Sequence, residues 1–286
     1  MKNTKGIILA GGAGTRMYPM TQLYSKQLIS VYDKPMIYYP LSTLILSGIR
    51  EVLIISNVET IPYYKKLFKD GSHLGMKIEY AVQDAPKGIA EAFIIGEEFI
   101  GDDQVCLILG DNIFYGYLDF LRYAIKENEG ATVFGYYVKD PERYGVVEFD
   151  ESGQAISIEE KPKIPKSKYA VPGIYIFDNT SSARSKKIAP SNRGEVEITD
   201  LIKTYLSEEN LKVKKIGRGI AWLDSGTPES LLDASAFIAA IEQRQGLKVG
   251  CIEESAYQMK FIDKKGMDQI IEEMPNSYYR DYLKGL

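Results

Sequence analysis

Histidine is almost missing from this 286-residue chain. His73 stands alone, in the loop-like run Asp70-Gly71-Ser72-His73-Leu74-Gly75, and reads as a surface or turn residue. That shortage excludes a Ser-His-Asp hydrolase and a zinc enzyme built on several histidines. Cysteine is nearly as scarce: Cys106 lies in an apolar strand-like run and Cys251 far downstream, so neither a disulfide framework nor a metal cluster is expected. No apolar run approaches the roughly 20 residues of a membrane span, and the N-terminus enters a strand without the charged and apolar stretches of a signal. The net charge of -4 is spread over interspersed acids and bases, which leaves no basic stripe for nucleic acid and no polybasic patch for a membrane surface. Internal repeats and low-complexity segments are absent. The expectation is a cytoplasmic protein in a reducing setting, with neither nucleic acid nor membrane among its partners. The chain is long enough to bury a substantial core as one large α/β domain or two small ones.

What the chain does have is concentrated between Lys5 and Asp33. Gly6-Ile7-Ile8-Leu9-Ala10 is an unbroken apolar run that stops at a glycine cluster, the pattern of a strand buried on both faces of a parallel sheet as it enters its loop. Gly11, Gly12 and Gly14 permit backbone conformations that let successive amide N–H groups converge on an anion, and Arg16 and Lys26 add two cations. In open α/β sheets ligands sit beyond the carboxyl ends of the strands, so a phosphate-bearing ligand is expected here. Two commoner glycine loops are excluded. A P-loop needs Lys-Ser or Lys-Thr after its last glycine, whereas Gly14 precedes Thr15-Arg16. A dinucleotide fingerprint needs a small residue where this chain has Met17, and an immediate helix that Tyr18-Pro19 interrupts.

The remaining chain alternates strands and helices as far as Leu109. A helix over Met36 to Gly48 is followed by a strand Glu51 to Ser56, a helix from about Thr60 to Lys69, a strand Lys77 to Val82, a helix from about Ile89 to Phe99 and a strand Val105 to Leu109. That order predicts a single doubly wound, mostly parallel, Rossmann-like sheet flanked by helices. Past Gly130 the pattern turns to strands at Ala131 to Val138, Tyr144 to Phe149 and Ala155 to Glu160, with a hairpin turn at Asp150 to Gly153. Lys161 to Lys168 reads as an exposed loop, Tyr169 to Phe177 as a strand, Ile198 to Leu206 as a helix, and Leu211 to Ile216 and Ile220 to Leu223 as strands. Thr227 is placed as N-cap, with Pro228 opening a helix to about Gln245. Beyond Gly246, Tyr278, Tyr279 and Tyr282 are spaced along one helical face, which suits packing against the body or against another subunit.

Several groups suit phosphate chemistry. Asp111 sits at the end of a buried strand, where functional residues collect, although it also suits a turn. Asp224 follows a short strand and lies three positions before the proposed N-cap, so capping does not explain it. Two carboxylates at strand ends suit Mg²⁺, a hard cation that takes carboxylates together with substrate phosphates. Gln83 follows the third strand, and an amide that donates and accepts matches the imide edge of thymine or uracil.

The run Leu9-Ala10-Gly11-Gly12-Ala13-Gly14-Thr15-Arg16, then Pro19, then Ser25-Lys26-Gln27, resembles the signature loop of the sugar-nucleotide pyrophosphorylases, a nucleotidyltransferase family. The continuation from Val31 to Ser42 is similar to one branch, the glucose-1-phosphate thymidylyltransferases, and matching segments recur as far as Asp224. Met17 stands where that branch usually has Leu, and Ser30 where it usually has Pro; altered loop stiffness is the expected effect. The resemblance implies dTTP and glucose 1-phosphate as substrates and transfer of a thymidylyl group with release of pyrophosphate. The same chemistry with UTP and a non-catalytic nucleotide-sugar-binding subunit are the rival readings. It implies catalytic roles for Arg16, Lys26 and Lys161. Gly11, Gly12, Gly14, Thr15, Gln27, Gln83, Gly88 and Asp111 would bind the nucleotide. Tyr144, Gly145, Glu160, Lys161, Val171, Glu195 and Trp222 would bind the sugar phosphate, and Asp111 and Asp224 would hold Mg²⁺. Glu160 and Lys161 are neighbours, and a regular strand would point them to opposite faces, so either the backbone is irregular there or one of the two assignments fails. The implied organisation is a core over 1–245, with a nucleotide-binding half at 1–130 and a sugar-binding half with its inserted β-hairpin at 131–245, and a helical tail over 246–286 for packing or oligomer contacts. A homotetramer, a role in deoxysugar supply of the dTDP-rhamnose type and feedback inhibition are further implications of the resemblance.

Overall fold

The computed structural model describes residues 3–12 and 14–286; Ala13 of the glycine loop lies outside the described residues. The strands are β1 (Thr4–Leu9), β2 (Ser30–Val31), β3 (Lys34–Pro35), β4 (Glu51–Ser56), β5 (Lys77–Val82), β6 (Gln104–Leu109), β7 (Asn112–Tyr115), β8 (Ala131–Tyr137), β9 (Gly145–Phe149), β10 (Ala155–Glu160), β11 (Tyr169–Ala170), β12 (Ile174–Phe177), β13 (Leu211–Lys215) and β14 (Ala221–Asp224). The helices are α1 (Tyr38–Leu46), α2 (Ile61–Phe68), α3 (Glu91–Ile95), α4 (Glu97–Ile100), α5 (Asp119–Glu127), α6 (Ser181–Ser185), α7 (Ile198–Ser207), α8 (Pro228–Gln245), α9 (Ile252–Gln258), α10 (Lys264–Glu273) and α11 (Tyr278–Lys284).

One sheet runs in the order β10-β9-β11-β8-β12-β6-β1-β4-β5. It is parallel across β6, β1, β4 and β5, as the alternating pattern requires, and mixed beyond β6, where β12 pairs antiparallel with both β6 and β8. At β8 the sheet forks: β13 runs parallel along residues 131–135, while β11 takes 136–137 and leads on to the β9–β10 hairpin. Alternation along each strand sends side chains to two apolar layers. Ile8, Ile54, Ile108 and Ile176 pack under α1, α2 and α9, and Ile7, Leu53, Leu107 and Phe177 pack under α3 and α7. Both layers contain residues from before and after Gly130, so the two halves of the chain share them.

Three elements differ from expectation, each for a local reason. The helix predicted over Ile89 to Phe99 breaks into α3 and α4 at Gly96, where a Cβ would meet Ile7 Cδ1 at 3.0 Å and Leu53 Cδ2 at 3.3 Å. The glycine lets the helix lie down on β1 and β4. The strand predicted over Tyr169 to Phe177 is interrupted between Ala170 and Ile174, because the chain changes partners there, from β8 and β9 to β6 and β8. In the tail, Tyr279 and Tyr282 donate to Glu253 (2.6 Å) and Glu254 (2.7 Å) of α9, but Tyr278, the first residue of α11, is 94% exposed and takes no part in that packing.

The capping prediction for α8 is realised: Thr227 Oγ1 accepts from Ser230 N at 3.2 Å and Ser230 Oγ accepts from Thr227 N at 2.9 Å. Its apolar face, Leu231, Ala234 and Ile238, covers Met17 of the signature loop and, in the segment that follows it, Val31 of β2 and Met36 just past β3. Met17 is thus a fully buried anchor, while Ser30 is exposed. At the C-terminal end of α8 a ring of charges closes the hairpin onto the tail. Lys34, only 3% exposed, reaches Asp33, Glu242 at 3.1 Å and the Val249 carbonyl at 2.9 Å; Lys248 bridges the same Asp33 and, at 3.0 Å, Glu242.

Candidate active site

The carboxyl ends of β1, β5 and β6 open onto a cleft made of two adjoining cavities of about 310 and 210 Å³, which share Arg16, Asp111, Glu160 and Lys161. Size does not single them out. A hollow of about 780 Å³ lies between the turn at Ser72–Leu74, where His73 sits, and α9 and α10, but it brings together neither glycine loop nor paired strand-end carboxylates.

Asp111 and Asp224 meet because β7 turns back directly after Asp111 and pairs antiparallel with β14, setting Asp224 opposite Asn112. Ser225 N then donates to the Asp111 carbonyl at 3.3 Å. Burial disfavours ionised Asp111, but the Lys26 ammonium, which pairs with it directly, and the Asn112 amide at 2.9 Å hold its carboxyl below the usual range. Burial and the charge of Asp111 push Asp224 upward, against the pull of Lys26, Arg143 and Arg16. Two strand-end carboxylates, one of them opposed in its ionisation by burial and by the other even with Arg143 at 3.6 Å, form a hard-oxygen pair that a divalent cation fits.

Asn112 organises this corner. Its Oδ1 accepts from Trp222 Nε1 at 2.6 Å and from Gly173 N at 2.9 Å while its amide serves Asp111. Trp222 packs against Tyr144, ring centroids 5.0 Å apart, and Tyr144 reaches Asp224 at 3.4 Å; burial, with Asp224 beside it, pushes the Tyr144 hydroxyl up to about 12. Gly173 must be glycine, since a Cβ there would come within 2.6 Å of Leu109 and 2.9 Å of Asn112.

Lys161 follows the last residue of β10 with φ +42, a left-handed conformation uncommon for a side chain of its size, and donates its N–H to the Tyr144 carbonyl at 3.0 Å. The irregular backbone expected here is present. It brings Lys161 and Glu160 to the same side, Nζ to Oε1 3.3 Å, with Arg193 3.8 Å from the same carboxylate.

A family model described as nucleotidyl transferase matches residues 5–241. The chain belongs to the nucleotidyl transferase family. It is 53% identical over 281 residues, 98% of both chains, to a protein of Neisseria gonorrhoeae named glucose-1-phosphate thymidylyltransferase. A crystal structure from Bacillus anthracis that carries the same name, in complex with sucrose, superposes with a TM-score of 0.76 at 40% identity, over 82% of this chain and 94% of that one. A UDP-glucose pyrophosphorylase bound to UDP-glucose matches with a TM-score of 0.74 over 85% of this chain and 100% of that chain; at 22% identity it shows the fold alone.

In this nucleotidyl transferase the residues singled out from sequence fall in definite places. Gly11, Gly12, Gln27, Gln83 and Gly88 line the larger cavity, and Tyr144, Gly145, Val171 and Trp222 the smaller. Glu195 lines the larger cavity beside Arg193, apart from the aromatic pair. Gly14 faces a separate hollow on the far side of the loop, and exposed Thr15 opens a short helical turn. Asn112, Arg143 and Arg193 escaped the sequence reading although each adjoins a motif already noted; a side chain's neighbours in space are not written in its neighbours along the chain. Glu91, which meets Gln83 from the first residue of α3, left no sequence signal at all.

Proposed function

We propose that this nucleotidyl transferase moves a thymidylyl group from dTTP to glucose 1-phosphate, forming dTDP-glucose and releasing pyrophosphate. The likeness at 53% identity over 98% of both chains to a protein named for that activity carries the assignment. An oxygen of the sugar phosphate, already anionic near neutral pH, bonds to the α-phosphorus of dTTP as the bond from that phosphorus to pyrophosphate breaks, and the electron pair leaves with pyrophosphate. No proton has to be removed, which agrees with a cleft lined by no histidine.

The demand on the protein is alignment and charge neutralisation. Two like charges about 4 Å apart repel by roughly 4 kcal/mol at an effective dielectric of 20, so each cation near the phosphates matters. Lys161 positions the attacking phosphate, and Glu160 beside it takes a sugar hydroxyl. Tyr144, Gly145, Val171 and Trp222 wall the sugar. Arg16 and Lys26 stabilise the departing pyrophosphate; an ammonium has three hydrogens, so Lys26 can serve Asp111 and a phosphate oxygen together. Asp111 and Asp224 would hold Mg²⁺, which when bound offsets the charge of the triphosphate. Asp111→Asn is expected to lower turnover at least about 100-fold with little change in fold, and near-normal activity would remove Asp111 from this role.

The deciding experiment follows pyrophosphate release from glucose 1-phosphate and Mg²⁺ with dTTP or UTP. Faster release with dTTP, with some turnover of UTP because one methyl is worth only about 1–3 kcal/mol, is the expected result. A clear preference for UTP overturns the choice of base, and no release from folded protein overturns the reaction. A supply role for deoxysugars of the dTDP-rhamnose type and a homotetramer rest on the same likeness; light scattering against the 32.2 kDa monomer tests the assembly.

A further inference from the structure

Gln83 lies just past β5, only 6% exposed, on the wall of the larger cavity. Its amide carries two hydrogens on Nε2 and one acceptor oxygen. Nε2 donates to Glu91 Oε2 at 2.7 Å and to the Gly88 carbonyl at 3.4 Å, so both hydrogens are used within the protein. The oxygen points the other way, 3.1 Å from where a Cβ on Gly11 would stand. A ligand in this cavity therefore meets an acceptor from Gln83, and not the donor-and-acceptor edge that the residue type by itself suggests.

The orientation is set by Glu91. A carboxylate only accepts, so a flipped amide would press Oε1 against Glu91 Oε2 and leave a poorly solvated carboxylate without its donor. Glu91 opens α3 with its side chain 17% exposed, and its other oxygen lies 3.9 Å from Lys87 Nζ. Gly88, whose carbonyl takes the second hydrogen, is itself pinned: with φ +103, a Cβ there would come within 2.3 Å of the Val196 carbonyl.

We infer that Glu91 is a specificity-determining positioning residue: by locking the Gln83 amide oxygen toward the cavity it selects a pyrimidine base that carries a ring N3–H over one whose N3 is an acceptor. Thymine and uracil carry that hydrogen and cytosine does not. The inference rests on the nucleotidyl-transfer reading above, deepens it, and separates dTTP and UTP together from dCTP and CTP. It leaves the choice between thymine and uracil to other contacts.

The test compares kcat/KM for dTTP and dCTP, with glucose 1-phosphate as acceptor, in the wild type, Glu91→Gln and Glu91→Leu, alongside the unfolding temperature of each. Glu91→Gln keeps the shape of the side chain but can donate to Gln83 Oε1, so either amide orientation becomes satisfied; Glu91→Leu removes the anchor. Both variants are expected to narrow the preference for dTTP by at least about 10-fold, mainly through a gain with dCTP, at an unchanged melting temperature in Glu91→Gln. A preference unchanged in both variants overturns the inference. So does an equal fall for both nucleotides, which would make Glu91 a packing residue only. A wild type without turnover would count against nucleotidyl transfer itself; the Glu91 inference is then judged by the ratio of dTTP to dCTP affinities in calorimetry, which needs no turnover.

Discussion

Lys161 shows how a single residue can carry a conflict between folding and use. Its left-handed φ of +42 costs about 1–2 kcal/mol for a residue with a Cβ, and nothing in the β9–β10 hairpin requires a lysine there. The strain turns Lys161 back beside Glu160 at the junction of the two cavities. Lys161→Gly relieves it while deleting the ammonium. The expected outcome is a chain at least as stable by chemical denaturation, gaining up to about 1 kcal/mol, with kcat/KM down by about 100-fold or more. Loss of stability together with activity would mean that the lysine serves the fold and not the phosphate. Asp224 carries the opposite burden: its carboxyl sits above its ordinary range because burial and Asp111 oppose its ionisation, a condition that an approaching cation relieves.

Among the elements, the short pair β7–β14 does the most for the site, since its register sets Asp224 beside Asp111 and lets the Trp222 indole N–H donate to Asn112 Oδ1. The α9–α11 tail uses a different device. Glu253 is 6% exposed, and burial pushes its carboxyl up, although the Tyr279 hydroxyl at 2.6 Å stabilises the ionised form. The sign follows from linkage. Between the unfolded value and the raised folded one, the folded state holds a proton that the unfolded chain has released, so this group removes stability as pH rises through that window. Glu253→Gln keeps an oxygen for Tyr279 and removes the penalty. Its melting temperature is expected to exceed that of the wild type at about pH 7.5 and to converge with it near about pH 4, where both forms are neutral. Parallel pH profiles for the two proteins would show that Glu253 is ionised at little cost.

At the scale of the whole molecule, one sheet serves both halves of the chain. Strand β12, from the second half, lies directly against β6, from the first, and the two apolar layers draw on residues from both. We therefore expect residues 1–130 expressed alone to fail as a folded unit. The edge of β6, with Val105, Leu107 and their neighbours uncovered, presents unpaired backbone and apolar surface. Circular dichroism and a melting curve on the fragment check this: a soluble, cooperatively melting 1–130 would show that the halves are separable domains. No helix among the described residues is long and apolar enough to cross a membrane.

The parallel core, the glycine loop and its cations, the strand-end aspartates and the α8 cap were legible in the sequence. Each depends on local rules: apolar runs ending at glycine, periodicity, and the chemistry of a cap within four residues. The kink at Glu160-Lys161 was legible only through the resemblance, which gives two adjacent residues one destination that a regular strand cannot serve. Tertiary structure alone decided which distant groups meet. The pairing of β7 with β14 faces Asp111 and Asp224 across 113 positions of chain, and Asn112 becomes their organiser only once Gly173 and Trp222 arrive from elsewhere. The same holds for the orientation of an amide. Residue type gives Gln83 both a donor and an acceptor, and only the carboxylate of Glu91, brought against it by the packing of α3, decides which of the two faces the ligand.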